Sequence, residues 1–505
     1  MDASNEGASR RDILKGIAIG SASLVLGPVM ALGSEEQMSG KTLSRASAVS
    51  LGIDPAAVVA FIEEVNKQVG GLHSMMLVRH GKVAAEAWWK PYEAKRPHIL
   101  FSLSKSFCST AVGLAVKDKL LTVEDKVVSF FPDKLPAKVS ENLAAMLVKD
   151  LLTMNTGHEA EPGRTTQDWV KEFLAAPVPR KPGSHFLYNT SATHILAAIV
   201  EKRTGKSLME YLKPRLLDPL AIEGATWDKS PAGVTLGGYG MSVRTEDIAK
   251  FGQLYLQKGK WNGKQLMPES WVAEATSRQV SNGDPSQEND WSQGYGYQFW
   301  RSRHGFYRGD GAFGQYCMVM EEFDAVLAIT SGVGDMGKIM AAAWAHLLPG
   351  FKSVGGTPSD FAKKLSSQEV PSPVGKSSSV IAAQVSGKSY VIDSNTERIR
   401  SVKLSFQGDR ATIETTRDSG TSKVVCGTKD WVRGEVLDGG IKRPIATKGA
   451  WVSESKFSLR SCFVDGPFEW NETYEFEGDK LTVSGRGMNV AFGPGGRPSL
   501  KGKQA

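Results

Sequence analysis

Cysteine is scarce in this 505-residue chain: Cys108, Cys317, Cys426 and Cys462 stand far apart. No Cys-x-x-Cys occurs, so zinc is not suggested and no metal is expected. A disulfide between Cys426 and Cys462 and a set of free buried thiols both stay open. No long block of Lys and Arg occurs either. The 61 basic and 54 acidic residues leave a net charge of +7, part of it in the basic N-terminus. Nucleic-acid binding therefore has no support. No Gly-x-Ser-x-Gly is found, which disfavours an α/β-hydrolase. The apolar run over residues 16–33 holds too many Gly and Ser residues to read as a membrane span.

What remains is ordinary for a soluble globular protein, 41% hydrophobic and 23% charged. The length predicts two domains. Ser9-Arg10-Arg11-Asp12-Ile13-Leu14-Lys15 ahead of residues 16–33 resembles a twin-arginine export signal. The expected location is periplasmic or secreted, with a membrane tether only if the signal stays uncleaved.

One stretch organises the rest: Ser102-Leu103-Ser104-Lys105. Read as the entry to a helix, it puts Ser102 and Lys105 on one face, within contact range. A serine hydroxyl is a poor nucleophile until a base takes its proton. A lysine can be that base only if desolvation or a nearby positive dipole lowers its pKa. The free N–H groups of a helix start favour negative charge on the serine oxygen and disfavour a cation. The motif alone is weak. Ser453-Glu454-Ser455-Lys456 matches it too, in a tract that reads as a strand, where the two side chains would point apart.

Around this stretch, Pro55–Val69 is predicted helical, with Pro in its first turn and Gly70-Gly71 beyond its end. Ser74–Arg79 and residues 83–89 flank His80-Gly81-Lys82 as a β-hairpin. Residues 121–217 read as helix-rich. Within them a turn at Pro182-Gly183 delivers Tyr188 just before a new helix. Tyr188 is either a half-buried packing residue or a phenol that shuttles protons. His185 and His194 read as surface or packing residues. Residues 294–300 and 305–308 read as strands. Gly309-Asp310-Gly311-Ala312 then opens a hairpin as a glycine-rich edge segment, which permits close approach of a ligand. Tyr295, Tyr297, Phe299 and Trp300 are either pocket lining or core. Residues 351–379 are rich in Ser, Pro, Gly and Lys, as a linker would be. Residues 380–500 hold short strands separated by turns and read as an all-β accessory domain.

In combination, Ser102-Leu103-Ser104-Lys105, Tyr188-Asn189-Thr190 and Gly309-Asp310-Gly311-Ala312 resemble the three active-site elements of the penicillin-recognising serine hydrolases. That superfamily includes class C β-lactamases, D-Ala-D-Ala carboxypeptidases, esterases and the 6-aminohexanoate-dimer hydrolases. Connecting phrases such as 151–157, 240–252 and 311–315 look most like the last branch. The resemblance implies an α/β (α+β) fold over residues 50–350: an antiparallel sheet flanked by helices, with a helical subdomain beside it. It implies Ser102 as nucleophile, Lys105 as general base and Tyr188 as proton relay. The backbone N–H groups of Ser102 and Ala312 would form an oxyanion hole, with Thr190, Asp310 and Gly311 at the substrate. No cofactor is implied, and the partner is a small ester or amide.

Two departures stand out. Penicillin binders carry Lys or His, then Ser/Thr and Gly, where this chain has Gly309-Asp310-Gly311, and they carry Asn where it has Thr190. Asp310 would repel a substrate carboxylate, and Arg308 is expected to point to the opposite face. The expected function is an exported serine hydrolase of esters or amides acting through an acyl-enzyme. The alternatives are a β-lactamase or D-Ala-D-Ala carboxypeptidase, and a non-catalytic binding or scaffold protein.

Overall fold

The computed structural model describes residues 42–353, 355–438, 441–488 and 497–505. The expected export signal at 1–33 lies outside them. Among the described residues no helix is long and apolar enough to cross a membrane.

The chain enters through α1 (Pro55–Val69). Asp54 starts it by accepting from the backbone N–H of Ala56 at 2.9 Å, and Gly70 ends it at φ 77°. The hairpin of β1 (Ser74–Arg79) and β2 (Lys82–Trp88) follows. Both belong to a six-stranded antiparallel sheet. In spatial order it runs β2, β1, Ala325–Thr330, Gln315–Met320, Tyr307–Gly311 and Trp300–Arg301.

Its central strands are apolar on both faces, as a sheet covered on both sides requires. α1 and the helical segments between Gly337 and Gly350 share an apolar core with one face. The helix Thr245–Leu256 packs on β1 and the two central strands. The edge strand Trp300–Arg301 pairs only with Tyr307 and Arg308, so Gly309–Gly311 pairs with Gln315–Cys317 on one side alone and leaves its other side to the turn at 100–103. Residues 294–299, expected as a strand, form none: they are irregular apart from Tyr295, which bridges to Val280 and Trp300. A Cβ on Gly296 would lie 2.1 Å from the carbonyl oxygen of Ala275, so this stretch is wedged against a neighbouring helix instead of pairing in the sheet.

Ten strands from Ser389 to Gln504 form the second sheet. Gly420–Gly427 pairs with Arg410–Arg417 on one side and, at Gly427 opposite Lys448, with Ile441–Trp451 on the other. That second pairing closes the sheet into a barrel, with Val432–Asp438 paired only to Ile441–Trp451. Tyr390, Leu404, Trp451, Phe457 and Leu481 lie in its core. Residues 355–379 run along the first sheet's surroundings. Phe361 and Leu365 pack on its core, and the Lys90 carbonyl accepts from Val370 N–H at 2.9 Å.

The barrel and the six-stranded sheet share one interior. Ala446, Cys462 and Val464 belong to the same apolar cluster as β1 and α1. The carbonyl of Asp465 accepts from Ile99 N–H at 2.9 Å, and Arg433 pairs with Glu93 at 3.0 Å. All four cysteines are buried and free, so Cys426 and Cys462 form no disulfide. Burial pushes each of these thiols up, away from the reactive thiolate.

Candidate active site

The strand β3 (His98–Ile99) delivers the chain to a short 3-10 turn, Phe101–Leu103, which runs directly into α2 (Ser104–Lys117). Phe101 has φ 49°, a left-handed conformation that costs a non-glycine residue about 1–2 kcal/mol. Ser102 follows it and is partly exposed. Lys105, one turn on, is 1% exposed.

Lys105 Nζ has three polar neighbours: Gly238 O at 2.8 Å, Ser102 Oγ at 3.0 Å and Thr190 Oγ1 at 3.2 Å. Gly238 O can only accept. A neutral amine has two N–H bonds and one lone pair. It satisfies all three by donating to Gly238 O and Thr190 Oγ1 while accepting from the Ser102 hydroxyl. Burial lowers the Lys105 pKa to about 7. The Glu161 carboxylate opposes that shift, and the Arg164 guanidinium adds to it.

Tyr188 arrives from the turn before the helix Thr190–Thr204. Asn189 caps that helix, its Oδ1 accepting from Ala192 N–H at 3.0 Å, which fixes the two residues on either side of it. The Tyr188 ring stacks on Trp300 at 5.2 Å and meets Tyr295 edge-on at 6.3 Å. Tyr188 is half-buried, and a hydrogen bond with Ser102 works against the rise of its pKa. Burial, then the charge of Asp310, raises its pKa, so it is a neutral phenol. Lys105 Nζ lies 4.9 Å from the ring centroid. Of the four aromatics between 295 and 300, Tyr295 and Trp300 back Tyr188. Tyr297 packs on Trp271, and Phe299 on Tyr255, in the core.

The third element explains its own glycines. A Cβ on Gly311 would sit 2.0 Å from Leu100 O, and one on Gly309 would sit 2.4 Å from Leu103 Cδ1. The space those glycines leave is filled by the turn that carries Ser102. Arg308 does not point away from Asp310. They stand two positions apart, hence on one face, and Arg308 Nε donates to Asp310 Oδ2 at 2.9 Å. Trp291 Nε1 donates to the same oxygen at 3.1 Å. Burial raises the Asp310 pKa, against the pull of Arg308. Asp310 is 7% exposed, so its charge is answered inside the protein.

The other Ser-x-x-Lys match does not lie in a strand. Ser453, Glu454 and Ser455 form the turn ahead of Lys456–Phe463, and Lys456 pairs with Glu475 at 3.0 Å. Three contributors escaped the sequence reading: the Gly238 carbonyl, the Arg308–Asp310 pair and the Glu161–Arg164 pair at 2.9 Å. The glycine-rich 237–240 segment was the available signal for the first. A Cβ on Gly238 would lie 2.6 Å from Thr190 Cγ2.

An antiparallel sheet between helical layers, with a Ser-x-x-Lys turn packed on its edge region, defines the β-lactamase and penicillin-binding-protein type of fold. Residues 59–347 match the β-lactamase family, and the chain belongs to it. It is 26% identical over 218 residues to the 6-aminohexanoate-dimer hydrolase of Paenarthrobacter ureafaciens. That match covers 39% of this chain and 55% of the relative, so the chain spans about half the length of that enzyme. Among solved structures, SurE with D-Leu superposes with TM-score 0.50 at 19% identity, over 81% of this chain and 97% of that one. A candidate β-lactamase of Bacteroides dorei DSM 17855 gives TM-score 0.50 at 16% identity, over 59% and 99%.

Proposed function

We propose that the protein is a serine hydrolase that cleaves an ester or amide through an acyl-enzyme on Ser102. The observation that carries this reading is the setting of Lys105, buried, with a pKa near 7 and 3.0 Å from Ser102 Oγ. In the proposed cycle the Ser102 hydroxyl gives its proton to Lys105 as Oγ attacks the substrate carbonyl. The backbone N–H groups of Ser102 and Ala312 receive the developing oxyanion, a contribution of about 3–4 kcal/mol per donor in such sites. The proton passes through Tyr188 to the departing amine or alcohol. Water then attacks the ester on Ser102, and the proton returns by the same route.

The similarity to a 6-aminohexanoate-dimer hydrolase supports linear amides as one substrate class. The pairing of Arg308 with Asp310 weighs against penicillins, because the third element's cation is already matched. Slow or no turnover of nitrocefin is expected. We also place the protein outside the cytoplasm on the strength of its twin-arginine segment, which cell fractionation of a tagged full chain tests.

A fluorophosphonate probe tests the central claim. It is expected to label Ser102 in the folded protein and to leave Ser102→Ala unlabelled. Absence of labelling in folded wild type overturns the reading.

A further inference from the structure

We infer that the barrel supplies part of the substrate site: Phe468 completes, with Phe101 and Phe313, a phenyl wall that selects the acyl group. The inference rests on the serine-hydrolase reading above. Phe101 immediately precedes Ser102, and Phe313 immediately follows Ala312. Their rings meet edge-on at 5.2 Å, and Phe468 lies 6.1 Å from each, edge-on to both. Such pairs are worth more than their buried area alone. All three residues nevertheless stay partly exposed, whereas the core aromatics nearby are closed off.

Two further facts set these rings apart from ordinary interface packing. Phe101 and Phe313 both hold left-handed backbone, at φ 49° and 66°. Strain of that kind collects where a site needs a side chain aimed against the backbone's preference. The barrel segment that presents Phe468 is also fixed from several sides. Asp465 O accepts from Ile99 N–H at 2.9 Å, and Arg443 Nη2 donates to Asp465 Oδ1 at 2.8 Å. Tyr92 reaches the Gly466 carbonyl at 3.4 Å. The Arg443 guanidinium lies 5.6 Å from the Phe468 ring centroid.

The leaving group must meet Tyr188 and Lys105 to collect its proton. The aromatic neighbours of Tyr188 are Trp300 and Tyr295, both of which also meet Phe186, not these three phenyls. The wall stands instead beside the two N–H groups that would hold the oxyanion, and there it meets the substituent on the acyl carbon. The ligand chemistry is therefore an apolar acyl chain or an aromatic acyl group.

The test uses the full chain and p-nitrophenyl esters of acetate, hexanoate and phenylacetate, with fluorophosphonate labelling of Ser102 run in parallel. Phe468→Ala is expected to lower the hexanoate-to-acetate and phenylacetate-to-acetate ratios of kcat/KM by on the order of tenfold, the scale of apolar pocket discrimination. Phe468→Leu, which keeps most of the bulk and protects against a folding failure, is expected to restore much of the hexanoate ratio and little of the phenylacetate ratio. A purely structural role would scale all three esters together. Ratios unchanged in variants that still label at Ser102 overturn the inference. If wild type itself fails to label, the hydrolase reading falls first and this one with it.

Discussion

His73 donates through Nδ1 to Nε2 of His98 at 2.9 Å, and the pair is buried where the barrel meets the strand that leads to Ser102. The direction of the bond follows from the next partner. His98 Nδ1 lies 2.9 Å from the carbonyl of Ile99, which can only accept, so Nδ1 carries the proton and Nε2 of the neutral ring accepts. Burial holds both rings neutral. It lowers the His98 pKa to about 4, against the Ile99 carbonyl and the charge of Asp465, and lowers that of His73 with the help of His98 and Arg460.

Stability should therefore depend on pH in a defined window. The unfolded histidines titrate near 6.5. Between about 4 and 6.5 the unfolded chain takes up protons that the folded one refuses, so stability is full above that window and falls as pH falls through it. His98 alone accounts for about 3 kcal/mol of that loss. Urea midpoints at pH 7 and pH 5 measure it. His98→Asn should shrink the difference without abolishing it, because burial also lowers His73, His158 and His194; an unaltered pH dependence would show that His98 carries none of it.

Activity should rise with pH through an apparent pKa near 7, as Lys105 sheds its proton and becomes able to accept one from Ser102. Arg164→Ala removes the cation that adds to this depression, and the rising limb should move to higher pH. Lys105→Ala should cost several orders of magnitude in kcat, and Lys105→Arg should not rescue it, because a guanidinium stays charged. Steady-state pH profiles decide all three.

Asp310→Ala leaves the fully buried Arg308 without its anion, and should destabilise the protein by about 3–5 kcal/mol. Replacing both, Arg308→Met with Asp310→Ala, should recover much of that loss, since it removes the unpaired charge. Thermal unfolding of the two single variants and the double variant checks the coupling. Additive losses would show that the pair does not act as a unit.

Gly311→Ala should damage activity more than stability. Its methyl would need the place of the Leu100 carbonyl, two residues ahead of Ser102, so the turn must shift. Overpacking of this kind costs about 1–3 kcal/mol in stability. The displaced nucleophile should lose rate by much more, read as kcat on any ester that wild type turns over.

Much of the first domain was legible because its signals are local. Asp54, Pro55 and Gly70 bound α1 in a few residues, and two apolar runs flanking His80-Gly81 mark the hairpin of β1 and β2. The approach of Lys105 to Ser102 follows from helical spacing. Thr190, Gly238 and Phe468 lie far along the chain from them, and only the packed fold brings them near. The barrel was only half visible. Ile441–Trp451 carries Pro444 and Gly449 in its interior, which count against a strand, yet the strands before and after it in the chain pair with it on both sides. Gly420–Gly427 shows too little apolar alternation to stand out. The adjacency of Arg308 and Asp310 needed only the two-residue period of a strand, and was misread by counting them as opposite faces.

Ala446, Cys462 and Val464 give the two halves of the molecule a common interior, and Asp465 holds the residue three places before Ser102. A shortened chain ending at residue 379 would therefore expose an oily seam and unpin the segment that aims the nucleophile. An attempt to trim the barrel away for a stand-alone catalyst should yield an insoluble or inert fragment.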